Sequence, residues 1–183
     1  MGKIVRKLYM DYGKEEAWLN AMAAKGLALT HYSWCRYVFE ETDPGKYIYR
    51  IELLGKKPSD PESAAYLRFI EGTGVEIVST YLRWVYLRRK ASEGSFDLYS
   101  DVASKLAHGR RVTALYTTLM LIEFAAGSPN VVLSVTLHGD HVSSMNLFIG
   151  LLCIALGVVI LTRLLLPQLR RMKRLSREQG IRE

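Results

Sequence analysis

Apolar positions along the first hundred residues recur with two different periods, and beyond residue 111 polar positions become rare. Residues 4–10 read as a strand and 14–25 as a helix, with Glu15 and Glu16 in its first turn, Lys25 in its last and Gly26 as a stop. Trp18, Ala21, Met22 and Lys25 share a face at i, i+3, i+4 spacing. Two strands follow, 28–40 and 46–54, joined by the turn Thr42-Asp43-Pro44-Gly45. In the second, Tyr47, Tyr49, Ile51 and Leu53 alternate with Ile48, Arg50 and Glu52, the pattern of a half-buried strand. Asp60 as N-cap and Pro61 in the first turn open a second helix, striped by Tyr66, Phe69 and Ile70 and ended by Gly72 and Gly74. Strands at 75–81 and 84–90 and a third helix near 97–110 complete the series.

The order is β-α-β-β-α-β-β. Its first six elements match a ferredoxin-like βαββαβ domain of the α+β class, which predicts one antiparallel sheet with two helices on one face. No internal repeat or low-complexity tract is visible. The expected divisions are a cytoplasmic α+β domain at 1–96, a connecting helix at 97–111, and membrane spans at 112–137 and 142–166. A basic tail at 167–183 closes the chain.

The spans rest on a depletion of charge. Residues 112–162 carry only two charged side chains, Glu123 and Asp140. Residues 142–162 hold 21 residues without charge, about the ~20 needed to cross a bilayer. Ser128-Pro129-Asn130 interrupts the first run. That span either ends near Gly127 or continues past Pro129 with a kink, and 131–137 lies at the interface, forms a short strand or extends the helix. Lys105, Arg110 and Arg111 precede the first span. Arg163, Arg170, Arg171, Lys173, Arg174 and Arg177 follow the second, and the connection between the spans has no Lys or Arg. The positive-inside rule places both termini in the cytoplasm of a multi-pass protein of the cell membrane. Residues 1–26 lack the apolar core of a signal peptide.

Charge and cysteine content narrow the partners. Of the net charge of +7, a large share sits in the short tail, which suits an anionic lipid surface better than nucleic acid. The two cysteines, Cys35 and Cys153, fall in different parts of the predicted topology and read as reduced thiols.

Several runs resemble a known family. They are Asp11-x-x-Lys14-Glu15-x-x-Trp18-Leu19-Asn20-x-Met22-x-x-x-Gly26, then Pro44-Gly45-Lys46-Tyr47-x-Tyr49-Arg50, Gly74-Val75-Glu76, Trp84-x-Tyr86-x-Arg88-Arg89 and Phe96-Asp97-Leu98-Tyr99-Ser100-Asp101. Together they resemble the bacterial domain of unknown function 2812 over roughly residues 5–108. The resemblance implies C-terminal membrane helices, a gene beside a PadR-like transcription regulator, and a regulatory or envelope-related role. It brings no catalytic residue with it.

The chemistry-bearing candidates are few. No phosphate loop, HExxH, CxxC or Gly-x-Ser-x-Gly occurs, so no enzymatic activity and no cofactor is expected. His31 reads as a core or surface histidine. His138, Asp140 and His141 form the most metal-like stretch, read as a solvated turn or as an ion site shared between subunits. Glu123 either lies near the outer interface or, with Gly150 and Gly157, contacts another membrane helix. Arg88 and Arg89 mark a charged strand end. With Arg110, Arg111, Arg170, Arg171, Lys173 and Arg174 they are also candidates for lipid headgroups or an acidic partner. Trp34, Tyr47, Tyr49, Trp84 and Tyr86 fall on strands, where they either complete the core or form an aromatic open face for a dimer or ligand. The expected function is a membrane-anchored adaptor or sensor bound to a partner protein. The alternative is a subunit of a homo-oligomeric assembly or a transporter accessory.

Overall fold

The computed structural model describes residues 2–99, 102–136 and 141–182. The chain divides into two compact units, Met1–Ser100 and Asp101–Glu183.

The first unit is α+β. Its elements are β1 (Lys3–Arg6), α1 (Tyr12–Ala24), β2 (Leu27–Ser33), β3 (Arg36–Glu41), β4 (Tyr47–Leu53), α2 (Pro61–Glu71), β5 (Glu76–Tyr81) and β6 (Trp84–Lys90). There are two three-stranded sheets, ordered β1-β3-β2 and β4-β6-β5, and every pairing is antiparallel. This differs from the single antiparallel sheet of the ferredoxin-like expectation, because the strands divide between two sheets. The difference begins at one turn. The strand expected at 28–40 is a hairpin, β2 and β3, folded at Trp34-Cys35. Neither residue is a usual turn former, and Cys35 takes a left-handed φ of 55°.

With that hairpin counted, the unit is a repeat of β-α-β-β. The pairs Leu29↔Phe39, His31↔Val38, Tyr32↔Tyr37 and Ser33↔Arg36 correspond to Ile77↔Leu87, Ser79↔Tyr86, Thr80↔Val85 and Tyr81↔Trp84, 48 residues further along. Each copy has its register shift at the same place, between Leu29 and His31 and between Ile77 and Ser79. Asp11 caps α1 and Asp60 caps α2, and Gly26 and Gly74 follow the helices with φ of 78° and 85°. The expected absence of a repeat is therefore corrected: the duplication lives in register and caps, while the side chains have diverged.

The two helices also lie on opposite faces of the second sheet rather than on one. Tyr49, Ile51 and Tyr86 join Leu19 and Ala23 of α1 and Leu29, Tyr37 and Phe39 of the first sheet in one core cluster. Val85 and Leu87, with Ile48 at its margin, join Leu67 and Ile70 of α2 and Phe96 in another. Alternation along β4 and β6 forces this split, since neighbouring side chains point to opposite faces.

The second unit consists of α3 (Val102–Thr136), α4 (His141–Ile160) and α5 (Leu166–Arg182). Helix α3 runs on through Pro129. Ser128 Oγ donates to Phe124 O at 2.8 Å and Asn130 Nδ2 to Ala126 O at 2.8 Å, engaging carbonyls around the missing proline N–H. So 131–137 is not a strand up to Thr136. A π-helical turn at Leu161–Leu165 joins α4 to α5 just before Pro167. The wider turn fits a proline that can neither bond nor approach the carbonyl four residues back. Two helices here are long and apolar enough to cross a membrane.

Candidate functional site

The most concentrated polar chemistry lies beneath α1. The Asp11 side chain accepts from Gly13 N and Lys14 N, at 2.9 and 3.4 Å, and starts the helix. From there the i, i+4 spacing turns Glu15, Leu19 and Ala23 inward together. Trp18 and Met22 pack at the margin of this face and Ala21 is exposed, so the stripe is rotated from the expected Trp18, Ala21, Met22 and Lys25. The sequence pattern sets Glu15 in the first turn of the helix without assigning it a direction. Its spacing from Leu19 and Ala23 was the available signal that it points in.

Glu15 is 7% exposed. Its Oε1 accepts from Tyr37 Oη at 2.6 Å and Tyr86 Oη at 2.7 Å. Burial raises the Glu15 pKa, and the two tyrosine bonds oppose the rise. Burial likewise raises both tyrosines, with the Glu15 charge adding to it. The Tyr32 ring lies 4.8 Å from Tyr37 and 4.4 Å from Tyr86, and Trp18 meets Tyr37 edge-on at 4.8 Å. Aromatic rings therefore seal the carboxyl from water.

One turn on, α1 bonds the outer edge of β4. Asn20 Nδ2 donates to Tyr49 O at 3.1 Å, while Tyr49 N donates to Asn20 Oδ1 at 2.9 Å. Ile51 N donates to Glu16 Oε2 at 2.9 Å, and Arg50 pairs with Glu16 at 3.4 Å. Burial raises the Glu16 pKa, against the Ile51 bond and the Arg50 charge. The side chains act as a surrogate strand and close an edge that would otherwise template foreign pairing. Of the residues in the family-like motifs, Glu15, Asn20, Tyr49 and Tyr86 thus hold α1 to the sheets.

Arg88 is similarly engaged. Its Nε donates to Glu76 Oε2 at 2.7 Å, its Nη1 to Leu29 O at 3.2 Å, and its guanidinium lies 4.3 Å over the Tyr47 ring. It ties the second sheet to β2. Arg89 pairs with Glu93 at 3.2 Å. Tyr49 and Tyr86 are buried, and Trp84 packs inward beside Tyr12 at 5.7 Å. The aromatic open face is corrected accordingly, with Trp34 the strongly exposed member, at a turn. His31 is exposed on β2.

In the second unit Gly127 and Gly150 face each other. A Cβ on Gly127 would stand 2.9 Å from Gly150 O, and one on Gly150 would stand 2.9 Å from Gly127 O. Gly157 lies against the Phe124 ring, and Glu123 against the Cys153 thiol. These groups meet within the one chain; Gly127, absent from the expected contact set, completes the approach. Gly109 of α3 meets Met172, and its carbonyl accepts from Gln168 Nε2 of α5 at 3.4 Å. Arg110, Arg170, Arg171, Lys173 and Arg174 are exposed, while Arg111 is half-buried. His138 and Asp140 lie outside the described residues, as does the His141 side chain. Among the described residues no three His, Cys, Asp or Glu gather as a metal site.

Neither a curated protein nor a solved structure matches the chain significantly. A family model described as "Protein of unknown function (DUF2812)" matches residues 11–121, from the α1 cap into α3. That match covers more than half of the sequence, and the chain belongs to the DUF2812 family.

Proposed function

We propose that this protein is a membrane-anchored adaptor or sensor, not an enzyme. In this reading α3 and α4 cross the bilayer as a hairpin with both termini in the cytoplasm, and the 1–100 unit binds a partner protein there. The observation that carries it is the outward face of the hairpin. Ile122, Val132, Phe148 and Leu151 are 56, 61, 68 and 54% exposed, while the close-packing glycines are consumed between α3 and α4. A core helix of a soluble protein would bury those side chains; lipid solvates them. The inward use of Glu15, Glu16, Asn20 and Arg88 supports a binding role over a catalytic one. A PadR-like regulator is the partner class that the family resemblance suggests.

The test is the mass of the detergent-purified full chain by light scattering, corrected for detergent, with mass spectrometry of co-eluting proteins. A monomer or dimer carrying a second protein is expected. A larger homo-oligomer with nothing else bound overturns the adaptor reading and favours a self-assembled membrane subunit.

A further inference from the structure

Both β hairpins of the repeat end in an exposed apolar side chain at the equivalent position. Trp34 in the β2–β3 turn and Leu82 in the β5–β6 turn are each 73% exposed. The fold brings the two turns to one end of the unit. Ser79 Oγ donates to Tyr32 O at 2.9 Å, and the Tyr81 ring lies 5.7 Å from Tyr32 and 6.2 Å from Trp34. The chain leaving β1 arrives at the same place. Lys7 N donates to Cys35 O at 2.9 Å, and the next residue, Leu8, is 70% exposed.

Three apolar side chains from three separate segments therefore converge on one tip. Single exposed apolar residues are ordinary on a protein surface, but convergent ones mark an interaction site. The charge around them selects the occupant. Residues 6–8, 33–36 and 81–84 contain Arg6, Lys7, Arg36 and Arg83 and no acidic residue. Arg83 is held by Leu54 O at 2.6 Å, whereas Arg6 and Lys7 are exposed. Three side chains, two on tight turns and one on the segment after β1, are too narrow for the ~800 Å² per partner of a standard protein interface. They suit the boundary between lipid headgroups and acyl chains, where tryptophan concentrates and nearby cations meet phosphate.

We propose that the hairpin tips, with Trp34, Leu82 and Leu8, insert into the interface of an anionic bilayer, and that Arg6, Lys7 and Arg36 contact its lipid phosphates. The proposal rests on the reading of α3 and α4 as membrane-spanning, because those helices would keep the tip within reach of a bilayer.

All three tryptophans, Trp18, Trp34 and Trp84, lie in the first unit, so their emission reports on it in the intact protein. The full chain is reconstituted into phosphatidylcholine–phosphatidylglycerol vesicles with plain or acyl-brominated lipid. Bromine-dependent quenching is expected. It should be lost in Trp34→Phe, reduced in Leu82→Asp, and weaker in vesicles of phosphatidylcholine alone. Equal emission in plain and brominated vesicles overturns the insertion, as does quenching that persists in Trp34→Phe. Flotation with resistance to alkaline carbonate separates the two levels. A chain that carbonate releases overturns the spanning reading and this proposal with it. A chain that resists carbonate but shows no quenching overturns the insertion alone.

Discussion

A single oxygen of Glu15 takes both the Tyr37 and the Tyr86 hydroxyls, one from each sheet, so that one helical side chain joins the two halves of the repeat. Glu15→Ala would strand two buried hydroxyls at ~1–3 kcal/mol each, before any cavity term. The pH dependence has a definite sign. The folded pKa lies above its ordinary value of 4.5, so the folded state favours the proton. The resulting stability is fully present below the unfolded pKa and is lost as pH rises through the folded one. Glu15→Gln keeps the shape without the charge. Tryptophan-monitored unfolding should therefore show wild type losing ground to Glu15→Gln as pH rises from about 4.5. A pH-independent difference would contradict the buried, charge-averse site.

Asn20 faces a backbone donor and acceptor of the same residue, Tyr49, and satisfies both. Asn20→Ala removes these two bonds together with a third, from Asn20 Nδ2 to Glu16 O at 2.8 Å, and should cost about 3 kcal/mol, on the basis of ~1 kcal/mol per bond. Asn20→Asp retains the acceptor for Tyr49 N but turns its other oxygen toward Tyr49 O, so the carbonyl faces a repelling group. Thermal unfolding of the two variants should show Asn20→Asp destabilised as well, and recovering on acidification as the aspartate gains a proton that can donate.

Much of the domain was legible in the sequence because caps and periods are local. Asp60, Pro61, Gly26, the alternation through β4 and the strand at 84–90 all stand where the pattern puts them. The sheet arrangement was not legible, and one position accounts for it. Trp34-Cys35 carries no turn chemistry, so β2 and β3 read as one strand and the count fell one short of a doubled βαββ. The buried polar cluster was hidden for a related reason. Glu15 and Glu16 look like solvent-facing helix-start charges unless Tyr37 and Tyr86, 22 and 71 residues away, are known to be beneath them. Gly127 was passed over because its partner, Gly150, lies on the other helix.

The glycine contacts of the hairpin predict a ranking. An added methyl at Gly127 or Gly150 meets backbone at 2.9 Å, which cannot move aside, whereas one at Gly157 meets the Phe124 ring at 3.2 Å. Gly127→Ala and Gly150→Ala should therefore lower the midpoint of helix loss, followed by circular dichroism in detergent. Gly157→Ala should shift it less, since a ring can rotate. Forced separation of α3 and α4 forfeits van der Waals packing, the main attraction between helices in lipid. Equal effects at all three positions would mean that the closest approach lies elsewhere.

The turn that concealed the fold offers the last prediction. Cys35 and Leu82 each hold φ near 55° without being glycine. A left-handed residue with a Cβ costs roughly 1–2 kcal/mol, and glycine adopts that region freely. Cys35→Gly relieves this strain, and its gain is partly offset by the greater freedom of glycine in the unfolded chain. Cys35→Val adds a β-branch where φ must be positive and has no compensation. Tryptophan-monitored melting should then place Cys35→Gly at or above wild type and Cys35→Val below it. The equivalent pair at Leu82 should repeat the order, since the register of the two hairpins is the same. If Cys35→Val melted with wild type, the turn would not be left-handed in solution, and β2 and β3 would have to be joined in another way.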